Sequence, residues 1–158
     1  MISINDLILV PLYLFIIFGI ARLIKSKNIK KHPEYRYFIK GIWFKLIGVS
    51  FFIIIYLFYY KGGDTITYFR GASALGELIL SDSEKGLAIL FNTDSYYNSY
   101  SSFNYQTGFP AHSYFSNKNT FIVCRISAIF YLLSSKSFVI TSLLTSVFSY
   151  IGIWKFYR

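Results

Sequence analysis

The stretch Gly41–Tyr60 reads GIWFKLIGVSFFIIIYLFYY and predicts a membrane-spanning helix. Its length matches the roughly 20 apolar residues that cross a bilayer. Trp43 lies near one end and three tyrosines lie near the other, which is the pattern of the aromatic belts at the two headgroup levels. The single charge, Lys45, is close enough to the first end to extend to the membrane surface.

Three further apolar runs lie on either side of this stretch, at residues 7–24, 120–134 and 138–154. The run Leu7–Ile24 would cover about 27 Å as a helix, close to the thickness of a bilayer core. The run at 120–134 is short and carries Arg125. We therefore predict an all-α membrane protein with about four transmembrane helices, at 7–24, 41–60, 120–134 and 138–154.

The composition supports a membrane protein and excludes several other classes. Hydrophobic residues make up 54% of the 158 residues, aromatic residues 22% and charged residues only 15%. A disordered chain lacks this aromatic content. A single cysteine excludes an internal disulfide framework and a cysteine-cluster metal site.

The basic residues are concentrated in one segment. Between Arg22 and Lys45 there are eight lysines and arginines and one acid, Glu34, so the segment carries +7. The positive-inside rule then predicts that residues 25–40 are a cytoplasmic loop and that the N-terminus is outside. Anionic lipid headgroups are a suitable partner for such a loop, whereas a basic cluster between two apolar runs argues against binding to nucleic acid.

Residues 61–118 differ in charge and pattern from the basic loop. Four cations and five acids give them a net charge of −1, which favours a periplasmic loop. Apolar spacing predicts two short amphipathic helices, over about 65–80 and 84–92. Residues 92–120 are aromatic, almost uncharged and without a clear period, so we expect an irregular loop suited to the membrane interface or to sugar faces.

Four spans would place the last two cations, Lys155 and Arg158, outside, against the positive-inside rule. Two explanations are open from the sequence. Either the short run at 120–134 does not cross the membrane fully, or the chain is not a complete bundle by itself.

Motifs of nucleotide binding, zinc proteolysis and serine hydrolysis are absent from the sequence. The strongest local feature is YYKGGDTITYFRGA at Tyr59–Ala72, which places an acid and an arginine just after the second span. Asp64 suits the N-cap of the following helix. Arg70 suits an exposed helix surface, and Arg125 is either a functional charge in the membrane or a side chain that extends to the interface.

The stretch Lys45–Ala72, KLIGVSFFIIIYLFYYKGGDTITYFRGA, resembles the N-terminal part of large polytopic membrane proteins of Bacteroidetes. These proteins are associated with cell-surface polysaccharide loci and are likened to polysaccharide polymerases or GT-C-type glycosyltransferases. The serine-rich run that ends in SYIGIWKFYR is similar to them as well. Because members of this family are longer, the resemblance implies an N-terminal fragment of a larger protein.

The resemblance implies a multi-pass protein of the bacterial inner membrane that handles polyprenyl-phosphate-linked glycans. Asp64 would then be catalytic, as a general base or as a ligand of a divalent cation. Arg70 and Arg125 would bind substrate, with Arg70 on the lipid phosphate. No other cofactor is expected. The alternative is a non-catalytic membrane subunit or scaffold with a membrane-protein partner, and the sequence leaves the choice open.

Overall fold

A computed structural model describes residues 4–91 and 99–157 of the chain. The regular structure of these residues is entirely helical, which confirms the all-α prediction. In chain order the elements are α1 (Asp6–Asn28), a 3-10 helix (Pro33–Tyr37), α2 (Phe38–Ile54) with a π-helical continuation (Ile55–Tyr60), α3 (Asp64–Ser81), α4 (Ser83–Phe91), α5 (His112–Ser116), α6 (Lys118–Leu133) and α7 (Phe138–Tyr157).

Three helical stretches among the described residues are long and apolar enough to cross a membrane. They are Asp6–Asn28, Pro33–Tyr60 and Phe138–Tyr157, with mean hydropathies of 2.5, 2.1 and 1.4. The predicted spans at 7–24, 41–60 and 138–154 fall within them. The fourth predicted span, at 120–134, falls on α6, which has 16 residues and is not one of the three. The prediction of four spans is therefore not confirmed.

The chain divides into two compact units. The first, which we call the three-helix unit, consists of Met1–Ile55 and Ser137–Arg158 and contains α1, α2 and α7. The second, the helical insert, is Tyr56–Lys136 and contains α3 to α6. All three candidate membrane-crossing helices therefore belong wholly or mainly to the first unit.

Aromatic contacts in the three-helix unit place the end of α7 beside the basic loop. The Trp154 ring centroid lies 5.2 Å from that of Phe38 and 5.5 Å from that of Tyr35. The Tyr150 hydroxyl donates a hydrogen bond of 3.0 Å to the carbonyl oxygen of Phe38. Since Tyr35 and Phe38 lie within residues 25–40, α7 ends where α2 begins.

The start of α1, the end of α2 and the start of α7 lie together at the opposite end of the same unit. Val139 near the start of α7, Ile54 at the end of α2 and Val10 near the start of α1 line one apolar groove. Neighbouring helices therefore alternate in direction. The chain leaves the three-helix unit after Ile55 and re-enters it at Ser137, and both points are at the end remote from the basic loop.

The helical insert is built around α3 and α6, which pack closely at two glycines. A Cβ atom on Gly71 would lie 2.7 Å from Cys124 Sγ, and one on Gly76 would lie 2.8 Å from Cε1 of Tyr131. Ala72, Leu75 and other buried apolar residues fill the contact. The predicted helices at 65–80 and 84–92 are confirmed with shifts of about one residue, as Asp64–Ser81 and Ser83–Phe91.

The predicted loop at 92–120 is more ordered than its sequence indicates. Residues 92–98 lie outside the described residues. From Ser99 onwards the chain forms α5 and the start of α6 and packs around Tyr100. The Tyr100 ring has its centroid within 5.1 to 6.3 Å of four other rings, those of Phe103, Phe109, His112 and Phe115. Residues 101–111 form no helix, which agrees with the predicted irregular loop, whereas His112–Ser116 and the residues from Lys118 onwards are helical, so the prediction was wrong for these residues only.

Candidate functional site

Asp64 and Tyr114 form the contact that defines the candidate site. Asp64 is the first residue of α3 and Tyr114 is the middle residue of α5. The Tyr114 hydroxyl donates a hydrogen bond of 2.5 Å to Asp64 Oδ1, across 50 positions of sequence. The Tyr68 ring lies edge-on to Tyr114 at 5.1 Å, one turn further along α3. The insert thus holds an exposed carboxylate against a phenol.

Asp64 does not cap the helix, so that prediction from sequence was wrong. The N-cap of α3 is Gly63, with φ of 103°, and no side chain bonds to the free backbone N–H groups there. Glycine takes this left-handed conformation without steric cost. Asp64 instead lies inside the first turn, where its negative charge interacts favourably with the helix dipole.

The Asp64 carboxylate changes the pKa of Tyr114. The hydrogen bond to the Asp64 carboxylate, together with desolvation, raises the pKa of Tyr114 to about 12. The phenol therefore stays protonated, and remains a donor, to a higher pH than an ordinary tyrosine with a pKa of 10.0. One oxygen of the carboxylate is occupied by this bond, and among the described residues no other hydrogen bond to Asp64 is found.

Arg70 is exposed on α3 and does not join Asp64. The two residues are six positions apart, which is about 120° short of two full turns, so they lie on different sides of the helix. Within residues 4–91 and 99–157 Arg70 makes no ion pair. It is thus available to an external anion.

Arg125 is half-buried on α6 and lies against an aromatic ring. Its guanidinium carbon is 5.4 Å from the centroid of Phe121, one turn earlier on the same helix. α6 belongs to the insert and is not among the three candidate membrane-crossing helices. The structure shows no contact between Arg125 and Asp64, so the three predicted site residues are not brought together in the described chain.

A second polar cluster was missed by the sequence reasoning. Lys136 Nζ lies 2.7 Å from Oε1 and 2.8 Å from Oε2 of Glu77, and the Tyr131 hydroxyl donates to Oε1 at 2.6 Å. Burial alone would raise the pKa of Glu77, but the hydrogen bonds from Lys136 and Tyr131 hold it below its ordinary value. These contacts span 54 and 59 positions, so no local sequence signal could have shown them.

A preformed metal site is not found in the part of the chain that the structure describes. No group of three or more His, Cys, Asp or Glu side chains there could hold a metal ion. A divalent cation at Asp64 would therefore need oxygen ligands from a substrate phosphate.

An exposed aromatic pair lies in the same unit as Asp64. Tyr105 is 98% exposed, and its ring lies edge-on to Phe109 at 5.7 Å. The side chain of Asn104 accepts from the backbone N–H groups of Gln106 and Thr107, which fixes the turn that carries Tyr105. This pair is the exposed aromatic tip that the sequence led us to expect, whereas Phe103 and Phe115, which also lie around Tyr100, are buried.

No protein family, curated protein or solved structure among those compared matches the chain.

Proposed function

We propose that this chain is a three-span protein of the bacterial inner membrane and part of a glycosyltransferase or polysaccharide polymerase that acts on lipid-linked glycans. The observation that carries the proposal is the exposed Asp64 carboxylate, held by Tyr114 and reached four residues after the second span ends at Tyr60. Four residues span at most about 14 Å. Asp64 is therefore tethered within reach of a lipid headgroup at the membrane surface.

The proposed orientation places the basic loop in the cytoplasm and residues 61–136 outside. The +7 segment supports this by the positive-inside rule. Trp154 packs beside Tyr35 of that loop, so Lys155, in the last turn of α7, lies at the same end of the three-helix unit as the basic loop. Three spans thus remove the conflict with the positive-inside rule that four spans create.

The directions of α2 and α7 support the same topology. The chain between these two helices must cross the membrane an even number of times or not at all. α2 ends and α7 begins at one end of the three-helix unit, as Ile54 and Val139 in one groove indicate. A single extra span between them would bring the chain back at the wrong end. α6 alone therefore fits better on one side of the membrane than across it.

In the proposed reaction Asp64 acts as a general base. Its carboxylate accepts the proton of an acceptor sugar hydroxyl, and the hydroxyl oxygen forms the new glycosidic bond to C1 of the donor sugar. The bond between C1 and the phosphate oxygen breaks, and the polyprenyl phosphate leaves with the electron pair. Tyr114 holds one carboxylate oxygen and leaves the other for the incoming hydroxyl.

Arg70 is the proposed contact for the lipid phosphate. Its side chain is exposed, and it lies on the helix that begins with Asp64. A guanidinium binds phosphate oxygens through paired hydrogen bonds. Substituting Arg70 by Ala is expected to weaken substrate binding rather than to abolish turnover.

The test is Asp64→Asn introduced at the chromosomal locus, with the surface polysaccharide as the measured product. Asn keeps the size and can still accept from Tyr114, but it lacks the charge. We expect product to fall by about 100-fold or more, the contribution typical of a general base. Glu84→Gln, an exposed carboxylate of the same insert, is the matched control and should leave product unchanged. Full product in Asp64→Asn, at a normal protein level, would contradict the catalytic role.

One observation favours a second candidate function, that of a non-catalytic membrane subunit or scaffold. Arg70 and Arg125 do not meet Asp64 in the described residues, so the insert does not assemble the three into one site. If the chain is a subunit, deleting it should abolish product while Asp64→Asn leaves product intact. The same assay thus separates the two functions.

A further inference from the structure

α6 carries two apolar faces on opposite sides of one helix. One face packs against α3 and is buried, with Phe121, Cys124, Ala128 and Tyr131. The other face is exposed, and its four residues follow at spacings of four, three and four positions. These residues, which we call the outer stripe, are Ile122, Ile126, Ile129 and Leu133.

The outer stripe is continuous and clearly exposed. Its side chains are 51%, 46%, 47% and 60% exposed in chain order. At 100° per residue all four lie within about 60° of arc, and the centre of the buried face is roughly opposite. A contiguous apolar strip of this kind is characteristic of a surface that contacts a membrane or another protein.

α6 is joined to a candidate membrane-crossing helix by a short connection. α6 ends at Leu133 and the membrane-crossing helix α7 begins at Phe138, so only four residues separate them. α7 is one of the three helices that are long and apolar enough to cross a membrane, and its exposed apolar surface is suited to contact lipid. Because so short a connection keeps the outer stripe close to the start of α7, lipid is the occupant that we infer for it.

The helix is poorly suited to crossing the membrane. Sixteen residues cover about 24 Å, short of the roughly 30 Å of a bilayer core. Arg125 lies halfway along it, with its guanidinium over the Phe121 ring at the edge of the stripe. Lys118 begins the helix, and Lys136 follows its end. Cations beside and at the ends of an apolar stripe are typical of a helix that lies in the interface.

We propose that α6 lies in the outer leaflet, parallel to the membrane plane, with the outer stripe in the acyl-chain region. The proposal rests on the orientation proposed above, which places the insert outside, and does not depend on the catalytic role of Asp64.

The test uses nitroxide labels on single cysteines in the reconstituted full chain, in a Cys124→Ser background. Accessibility to oxygen, which partitions into lipid, is compared with accessibility to a water-soluble nickel complex. Labels at Ile122, Ile126, Ile129 and Leu133 are expected to be oxygen-accessible and nickel-protected, like a label at Phe15, an exposed residue of α1. A label at Ser26, exposed at the basic end of α1, is the aqueous control.

The depths of the labels distinguish the alternatives. An interfacial helix places all four labels at similar depth, whereas a spanning helix separates Ile122 from Leu133 by about 16 Å. Nickel accessibility would place the stripe in water and overturn the proposal. Protection from both reagents would indicate a protein partner or a second copy and would overturn it as well. Cys124→Ala is the second background, so that a folding defect in one background does not decide the result.

Discussion

The carboxylate of Asp64 and the phenol of Tyr114 form the most informative pair at the scale of single residues. The contact explains why Asp64 is held at a fixed place although it caps nothing. It also gives the site a measurable signature, because the neighbouring negative charge keeps the phenol protonated.

We predict that Asp64→Asn lowers the pKa of Tyr114 from about 12 towards 10. The hydrogen bond to the carboxylate is the main cause of the shift, and a neutral amide oxygen accepts a weaker hydrogen bond than a carboxylate does. Since the folded-state pKa lies above the unfolded value of 10.0, the contribution to stability is present below pH 10 and is lost as the pH rises through about 12. Tyrosinate absorbance checks this: near pH 11 the variant should show one more ionised tyrosine than the natural chain. In a Tyr114→Phe background, which lacks the group, adding Asp64→Asn should leave the titration unchanged; any difference there would assign the shift elsewhere.

Glu77 gives a prediction for acid pH, because its pKa is lowered whereas that of Tyr114 is raised. Its pKa is below the ordinary value of 4.5, so its contribution to stability is present above pH 4.5 and is lost as the pH falls through the lowered pKa. We expect Glu77→Gln to destabilise the insert by about 1 kcal/mol at neutral pH, the range for a partly exposed pair. Thermal unfolding in detergent should show a smaller loss of stability in acid for this variant than for the natural chain. Equal acid sensitivity of the two would contradict the assignment.

At the scale of elements, close helix contacts depend on glycine. A Cβ on Gly41 of α2 would lie 2.7 Å from ring atoms of Tyr150, whose hydroxyl is tied to the Phe38 carbonyl. Gly48, two turns later on the same helix, has open space around it. The two glycines therefore form a matched pair.

We predict that Gly41→Ala destabilises the three-helix unit by about 1–3 kcal/mol, as overpacked cores do. Gly48→Ala should not destabilise it, because the added methyl group faces no protein atom within 4 Å and alanine favours a helix more than glycine does. Thermal unfolding of both variants in the same detergent is the measurement. A similar loss for both would show that helix packing at Gly41 is not the cause.

The sequence was enough to predict where the long apolar helices lie, but it did not predict which distant residues contact each other. Hydropathy located α1, α2 and α7, since a bilayer selects for length and apolar composition. The same criterion grouped the run at 120–134 with them, because it cannot distinguish an apolar face packed on α3 from one that contacts lipid. The partners Asp64 and Tyr114 stayed hidden because their contact depends on the packing of α5, a five-residue helix without a period of its own.

At the scale of the whole chain, the alternating directions of α1, α2 and α7 limit the topology. The basic loop 25–40 and the end of α7 share one side, as the Tyr35 and Trp154 contact requires. The connection between α2 and α7 therefore begins and ends on the other side. This is the central claim, on which the outer positions of Asp64 and α6 both depend.

Labelling with a membrane-impermeant maleimide in intact cells tests this claim most directly. Single cysteines would replace Ser26, Gln106 and Tyr157 in the Cys124→Ser background, all at exposed positions. We predict that Gln106→Cys labels from outside, whereas Ser26→Cys and Tyr157→Cys label only after the membrane is permeabilised. Labelling of Tyr157→Cys from outside, together with Gln106→Cys, would place the end of α7 opposite the basic loop and contradict the three-span account.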